Sequence, residues 1–228
     1  MTHVVDVLRR CTVAPDGFLA TEPADGWRLG MLAHVSCGNA LAMVRKAQPL
    51  GRDYEFANLW TLPGGMVRAA PDDPPAGPEA LAEASLGGRV AKEAGLDLAT
   101  CSDLGLSDRL GPLVSGYTTS IGYRHTLVLV RRFLSAPVEL GGADRTVSQA
   151  AWAPVPPDWS TMAPVNLAAV AHLAWPGLGD EQRDEAAPHV ARAVVICSER
   201  AHEIGVISVP VPWADEEDLT AWRSGFPG

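Results

Sequence analysis

At the closing end of the stretch LPGGMVRAAPDDPPAGPEALAEASLGGRVAKEAGL, residues 62–96, the carboxylate of Glu93 stands beside Arg89 and Lys92. A helix brings residues three and four apart onto one face, so these three side chains share one. Glu93 is the candidate catalytic residue, the one carboxylate on that face. One carboxylate flanked by two cations competes poorly for a hard divalent ion, because the local field repels it. The same cations suit an anion, since Arg and Lys both pair with phosphate or carboxylate. Arg68, three residues after Gly65, adds a third cation. The candidate ligand-binding residues are therefore Arg68, Arg89 and Lys92, with Gly64 and Gly65 of the loop, Arg45 at a strand end, and Trp60 as a stacking surface. Tyr54 or Phe56 nearby offers a further stacking surface, and Arg45, Lys46 and Arg124, at strand ends, are placed to reach a mouth between sheet and helix. No metal ligand set is expected.

Two bland alternatives stand beside these assignments. Arg89 and Glu93 also read as an exposed i,i+4 pair worth only about 0.2–0.5 kcal/mol on a solvated face. Trp60 also reads as a core tryptophan on the strand entering the loop. Elsewhere, six histidines form no H-E-x-x-H or other metal spacing, and His125 sits in an apolar strand. Glu199, His202 and Glu203 fall at helical spacing but read as a solvated charged face. Cys11, Cys37, Cys101 and Cys197 lie far apart and read as free thiols. No G-x-S-x-G elbow occurs.

The elements that must position these residues are legible in the hydrophobic pattern. RLGMLAHVSCG and ALAMVRKAQ read as two strands joined at Gly38-Asn39. YRHTLVLVRRFL predicts a long strand, and AAWAPV a shorter one that Pro154 and Pro156 end. The segment from Pro78 to Ala94 predicts a helix, with Glu79 near its start and Gly95 as its C-terminal cap. Gly87-Gly88 inside it costs about 1 kcal/mol per glycine relative to alanine. Either the helix begins only there, or its backbone approaches another element closely. VNLAAVAHLAW predicts a second helix, stopped by Pro176-Gly177, and residues 180–203 a third. RAAPDDPPAGPE is too proline-dense for anything but an irregular surface loop.

A strand, LPGG, a loop, an Ala-rich helix and a closing EAGL together resemble the Nudix family of diphosphate hydrolases. The supporting context spans roughly residues 28–175: paired strands before the motif, TLVLVRRF after it, then WAPV leading into a helix. The resemblance implies an α/β fold, a Nudix-like α/β/α sandwich around a mixed β-sheet, here with an extra C-terminal helical segment. It divides the chain into a domain over 1–178 and an extension over 179–228. The family motif ends in Arg-Glu-aliphatic-x-Glu-Glu-x-Gly, whose glutamates hold Mg²⁺ and so neutralise a diphosphate. With Gly95 as anchor, the six residues from Arg to the last Glu fall on Gly88, Arg89, Val90, Ala91, Lys92 and Glu93, so only Glu93 matches a glutamate. Arg68 falls where the family is usually acidic.

The expectation is a diverged Nudix-fold protein that binds a small phosphorylated or otherwise anionic molecule without the Mg cluster. No cofactor is expected; Mg is the alternative. Other readings are an active diphosphate hydrolase, a small-molecule tailoring enzyme with a non-standard site, and an interaction module with a vacated cleft. A formal charge of −9 over 228 residues argues against nucleic acid as partner. No stretch reaches the roughly 18 apolar residues of a membrane span, and no signal-like run opens the chain. The protein is expected to be soluble and cytoplasmic, with room for a homodimer.

Overall fold

The computed structural model describes residues 8–9, 11–22, 27–47, 56–69, 77–101, 110–118, 124–142 and 144–203. Tyr54, residues 70–76 of the proline-rich stretch, and the acidic tail from residue 204 lie outside them. Along the chain the described strands are Thr12–Val13 (β1), Leu19–Glu22 (β2), Trp27–Cys37 (β3), Ala40–Lys46 (β4), Trp60–Thr61 (β5), Gly64–Met66 (β6), Leu110–Thr118 (β7), Arg124–Phe133 (β8) and Val147–Pro154 (β9). The long helices are Pro78–Ala94 (α1), Pro164–Ala174 (α2) and Asp180–Glu203 (α3).

Strands apolar on both faces need a layer on each side, and this chain supplies both. Leu29, Met31, Ala33 and Val35 of β3, Ala42 and Val44 of β4, and Val128 and Val130 of β8 pack with Leu81, Ala82, Leu86 and Val90 of α1. The alternate residues Leu32, Leu41, Met43, Leu127 and Leu129 pack instead with Val165, Leu167 and Val170 of α2 and with Ala186, Val190 and Ala193 of α3. The period-two alternation of strand side chains thus sorts one sheet into two cores, and the α/β/α sandwich expected from the sequence forms. The helix after residue 179 shares the second core with α2.

The sheet is mixed. β3 pairs in parallel with β8 from Trp27↔Arg124 to Ser36↔Phe133, and antiparallel with β2, β4 and β6. β9 lies antiparallel on β4, and β7 antiparallel on β8. The hairpin at Gly38-Asn39 is as read, with Gly38 at φ 55. No helix among the described residues is long and apolar enough to cross a membrane.

Helix α1 opens with Pro78 in its first turn and closes on Gly95 in the left-handed conformation, whose N–H donates to Ala91 O at 3.0 Å. It runs through Gly87-Gly88 without a break, and a Cβ at either position would meet nothing within 4 Å. Both explanations offered by the sequence for this pair therefore fail among the described residues: the helix does not begin there, and no described element approaches it. Nothing in the structure requires these glycines. Gly87→Ala and Gly88→Ala should each stabilise the fold by about 1 kcal/mol, read as a raised denaturation midpoint. A lowered midpoint in either variant would show a contact that the structure does not contain.

Candidate functional site

The buried face of α1 runs through Ala82, Leu86, Val90 and Ala94, one residue per turn. Glu93 is three residues beyond Val90 and one before Ala94, so it is carried into the same buried stripe and is 1% exposed. A carboxylate there must be paired and hydrogen-bonded to remain ionised. Its Oε1 accepts from Lys46 Nζ at 2.7 Å, and its Oε2 accepts from the Gly64 N–H at 2.9 Å. Lys46 is the last residue of β4 and is itself buried. Its backbone is fixed on both sides, its N–H donating to Leu59 O and its carbonyl accepting from Asn58 N–H. One carboxylate thus ties α1 to β4 and β6. The solvated i,i+4 pair considered from the sequence is overturned here, because Glu93 is buried and its short partner is Lys46.

Arg89, one turn back on α1, is the part of this cluster that reaches solvent, at 39% side-chain exposure. Its Nη1 lies 3.9 Å from Glu93 Oε1 and 3.8 Å from Asp144 Oδ2, charge contacts without hydrogen-bond distance. The guanidinium sits over Gly65, where a Cβ would come within 3.6–3.7 Å of it. Asp144 arrives from the loop between β8 and β9, which caps the C-terminal end of α1. The Gly141 N–H donates to Ala94 O and the Asp144 N–H to Lys92 O, at 3.0 and 3.1 Å. Burial pushes the Asp144 carboxyl up. Hydrogen bonds from Thr146 Oγ1 and N–H, at 2.6 and 2.7 Å, together with the charges of Arg89 and Lys46, more than offset this and hold it below the usual carboxylate range. The cluster therefore alternates in sign: Lys46, Glu93, Arg89, Asp144.

Among the residues singled out from the sequence, the structure brings together Gly64, Gly65, Arg89 and Glu93. Arg68 lies further along the same edge, exposed, with its guanidinium 5.1 Å from the centre of the Phe18 ring and its N–H donating to Ser85 Oγ. Lys92 is exposed, and its carbonyl accepts from the Asp144 N–H. Trp60 packs against the core under α2 and α3, the other face of the sheet from α1, and its carbonyl accepts from Ala163 N–H. Arg45 is exposed, and its Nε donates to Asn58 O at 3.0 Å. His34, mostly buried on β3, is pushed down to about 4 by that burial, with the charge of Arg131 acting the same way.

The Mg²⁺ implied by the family resemblance does not fit this donor set. Each oxygen of Glu93 already holds a donor, one of them an ammonium. Asp144 is separated from Glu93 by the Arg89 guanidinium. Among the described residues, no group of three His, Cys, Asp or Glu side chains is gathered as metal ligands would be.

Sequence reasoning placed Lys46 near the mouth but missed its pairing with Glu93, 47 residues away. It missed Asp144 and Ser85 altogether. Asp144 lies in a loop whose approach to α1 depends on backbone hydrogen bonds to helix carbonyls, which no local motif announces. A usable signal for Ser85 was its spacing, one turn before Arg89 and two before Glu93.

No protein-family model matches the chain, and no curated protein does. Among solved structures, the chain is similar to a MutT Nudix hydrolase from Burkholderia pseudomallei, at 16% identity over 63% of this chain and 95% of that one, with a TM-score of 0.44. It is similar to the Nudix domain of NrtR from Shewanella oneidensis, solved with ADP ribose, at 17% identity over 72% and 89%, TM-score 0.44. The Nudix hydrolase RenU from M. smegmatis is similar at 17% identity over 73% and 93%, TM-score 0.42.

Proposed function

We propose that this chain binds a small anionic molecule, without a divalent ion, where α1 faces β6. The observation that carries this reading is the 2.7 Å contact between Lys46 Nζ and Glu93 Oε1. The carboxylate best placed for a metal is neutralised from inside the protein, which leaves the half-exposed Arg89 as the charge presented to solvent. Arg89 makes no hydrogen bond among the described residues, so its planar fork keeps its donors for a ligand. Exposed Lys92 and Arg68 on the same helix-and-edge region raise the local positive potential in a chain whose overall charge is −9.

The test is affinity for a panel of nucleotides and sugar phosphates in EDTA, at low and high salt. Binding should be insensitive to EDTA and weakened by salt. Arg89→Ala should lower affinity by about 1–3 kcal/mol. Its folding stability should change by less than about 1 kcal/mol, because the two ion contacts are long and partly solvated. Robust Mg²⁺-dependent turnover of a diphosphate, or unchanged affinity in Arg89→Ala, would overturn the reading.

A further inference from the structure

Strand β6 carries a row of backbone donors that, among the described residues, have partners at both ends and none in the middle. Its pairing with β3 places Leu32 opposite Gly64, Met31 opposite Gly65 and Gly30 opposite Met66. The bonds flanking this stretch run from Ala33 N–H to Pro63 O and from Val67 N–H to Leu29 O. Antiparallel pairs alternate, so the odd residues 63, 65 and 67 turn their hydrogen-bonding groups toward β3, Pro63 as an acceptor only. The N–H groups of Gly64, Met66 and Arg68 therefore turn away from β3. Two of them meet helix α1: Gly64 N–H donates to Glu93 Oε2 at 2.9 Å, and Arg68 N–H to Ser85 Oγ at 3.2 Å.

Ser85, Arg89 and Glu93 are successive turns of one face of α1, so the helix position facing Met66 is Arg89. An arginine has five donors and no acceptor. Where its neighbours on either side find an oxygen, the Met66 N–H faces a helix position whose side chain offers no acceptor. The Arg89 guanidinium already lies over Gly65, the residue bonded to that nitrogen. Met66 is half-buried and Arg89 is 39% exposed, so solvent reaches both residues.

We infer that the Met66 N–H and the Arg89 guanidinium together seat one oxyanion group of the ligand, a phosphate or a carboxylate. An oxygen placed there accepts from both and completes the ladder between β6 and α1. Asp144, 3.8 Å from Arg89 Nη1, is the carboxylate beside the seat, and it is occupied on its Oδ1 by Thr146; Glu93 is closed by Lys46 and Gly64. The inference rests on the metal-free reading above and assigns the atoms that read the anion.

The experiment labels the backbone nitrogen of methionine in the full chain. The sequence has five methionines, and the Met66 resonance is assigned by its loss in Met66→Leu. Inorganic phosphate and sodium acetate are titrated separately in EDTA, with sodium chloride at matched ionic strength as reference. A saturable shift of the Met66 amide is expected with at least one of the two anions and not with chloride, and the responding anion names the group. Arg89→Gln should weaken that response roughly tenfold or more. An unmoved Met66 amide, an equal response to chloride, or an undiminished response in Arg89→Gln would overturn the seat. If the nucleotide and sugar-phosphate panel binds in EDTA while Met66 stays still, only the seat falls. If that panel also fails to bind, the metal-free reading falls with it.

Discussion

Lys46→Met should lower the unfolding free energy by about 3–5 kcal/mol, a loss comparable to that of breaking other buried ion pairs. The substitution keeps an unbranched apolar stem of nearly the same length and removes the ammonium, with its charge and its hydrogen bond. Glu93 is 1% exposed, so its carboxylate would then sit in the helix–sheet interface with the Gly64 N–H as its one short donor. Arg89 lies 3.9 Å away and is partly solvated, too distant to take over the hydrogen bond that Lys46 makes at 2.7 Å. The double variant Lys46→Met/Glu93→Leu removes both charges and should recover most of the loss, because a buried pair replaced by apolar groups of similar size is often neutral. Urea unfolding of the four proteins of this cycle gives the coupling directly. A single Lys46→Met variant within about 0.5 kcal/mol of the native chain would show that the pair is solvated and that Glu93 is not closed by Lys46.

The elements were legible where sequence signals are local, and the site was not, because its contacts are long-range. Helix α1 could be bounded at both ends because Pro78 and Gly95 are themselves the start and stop. The strands β3, β4 and β8 could be read because runs such as LVLV are apolar on both faces. Strand β7 could not. Its sequence LGPLVSGYT contains Pro112 and Gly116, which argue against a strand, and the structure accommodates them at register shifts between Gly111 and Leu113 and between Ser115 and Tyr117. Glu93 was legible as the one family-like carboxylate but was assigned to the exposed face with Arg89. Residues four apart are offset by about 40° around a helix, so Arg89 falls at the rim of the buried stripe and is half-exposed while Glu93, beside Ala94 and Val90, is buried. That Lys46 meets it follows from β4 ending under α1, a fact of sheet order and not of spacing. The convergence of Arg68, Arg89 and Lys92 on one ligand was an expectation from charge alone. The structure separates their surroundings: Phe18 beside Arg68, Asp144 and Gly65 beside Arg89, and solvent around Lys92.

Gly64→Ala should be the most damaging small substitution in the LPGG stretch, at about 2–6 kcal/mol of stability, from backbone strain and steric overlap acting together. Gly64 has φ 146, a conformation that side-chain-bearing residues rarely adopt. A Cβ there would run into the Met31 carbonyl oxygen and lie 2.9 Å from Leu32 Cα, and both are backbone atoms of the central strand β3 that cannot swing aside. Relief requires β6 to move off β3, which would also withdraw the N–H that holds Glu93 Oε2. The neighbouring Gly65→Ala separates fold from site. Its φ of 157 is also strained, but the nearest atoms the added methyl would meet are those of the Arg89 guanidinium, at 3.6–3.7 Å, the end of a flexible side chain. It should cost about 1–3 kcal/mol and displace Arg89 from the strand. Thermal melts should therefore rank Gly64→Ala below Gly65→Ala in stability, while anion affinity in EDTA at a temperature where both are folded should fall in Gly65→Ala as it does in Arg89→Ala. Equal melting temperatures for Gly64→Ala and the native chain would mean that β6 does not lie against β3 at the register Leu32↔Gly64, and the placement of Glu93 between Lys46 and the Gly64 N–H would fail with it.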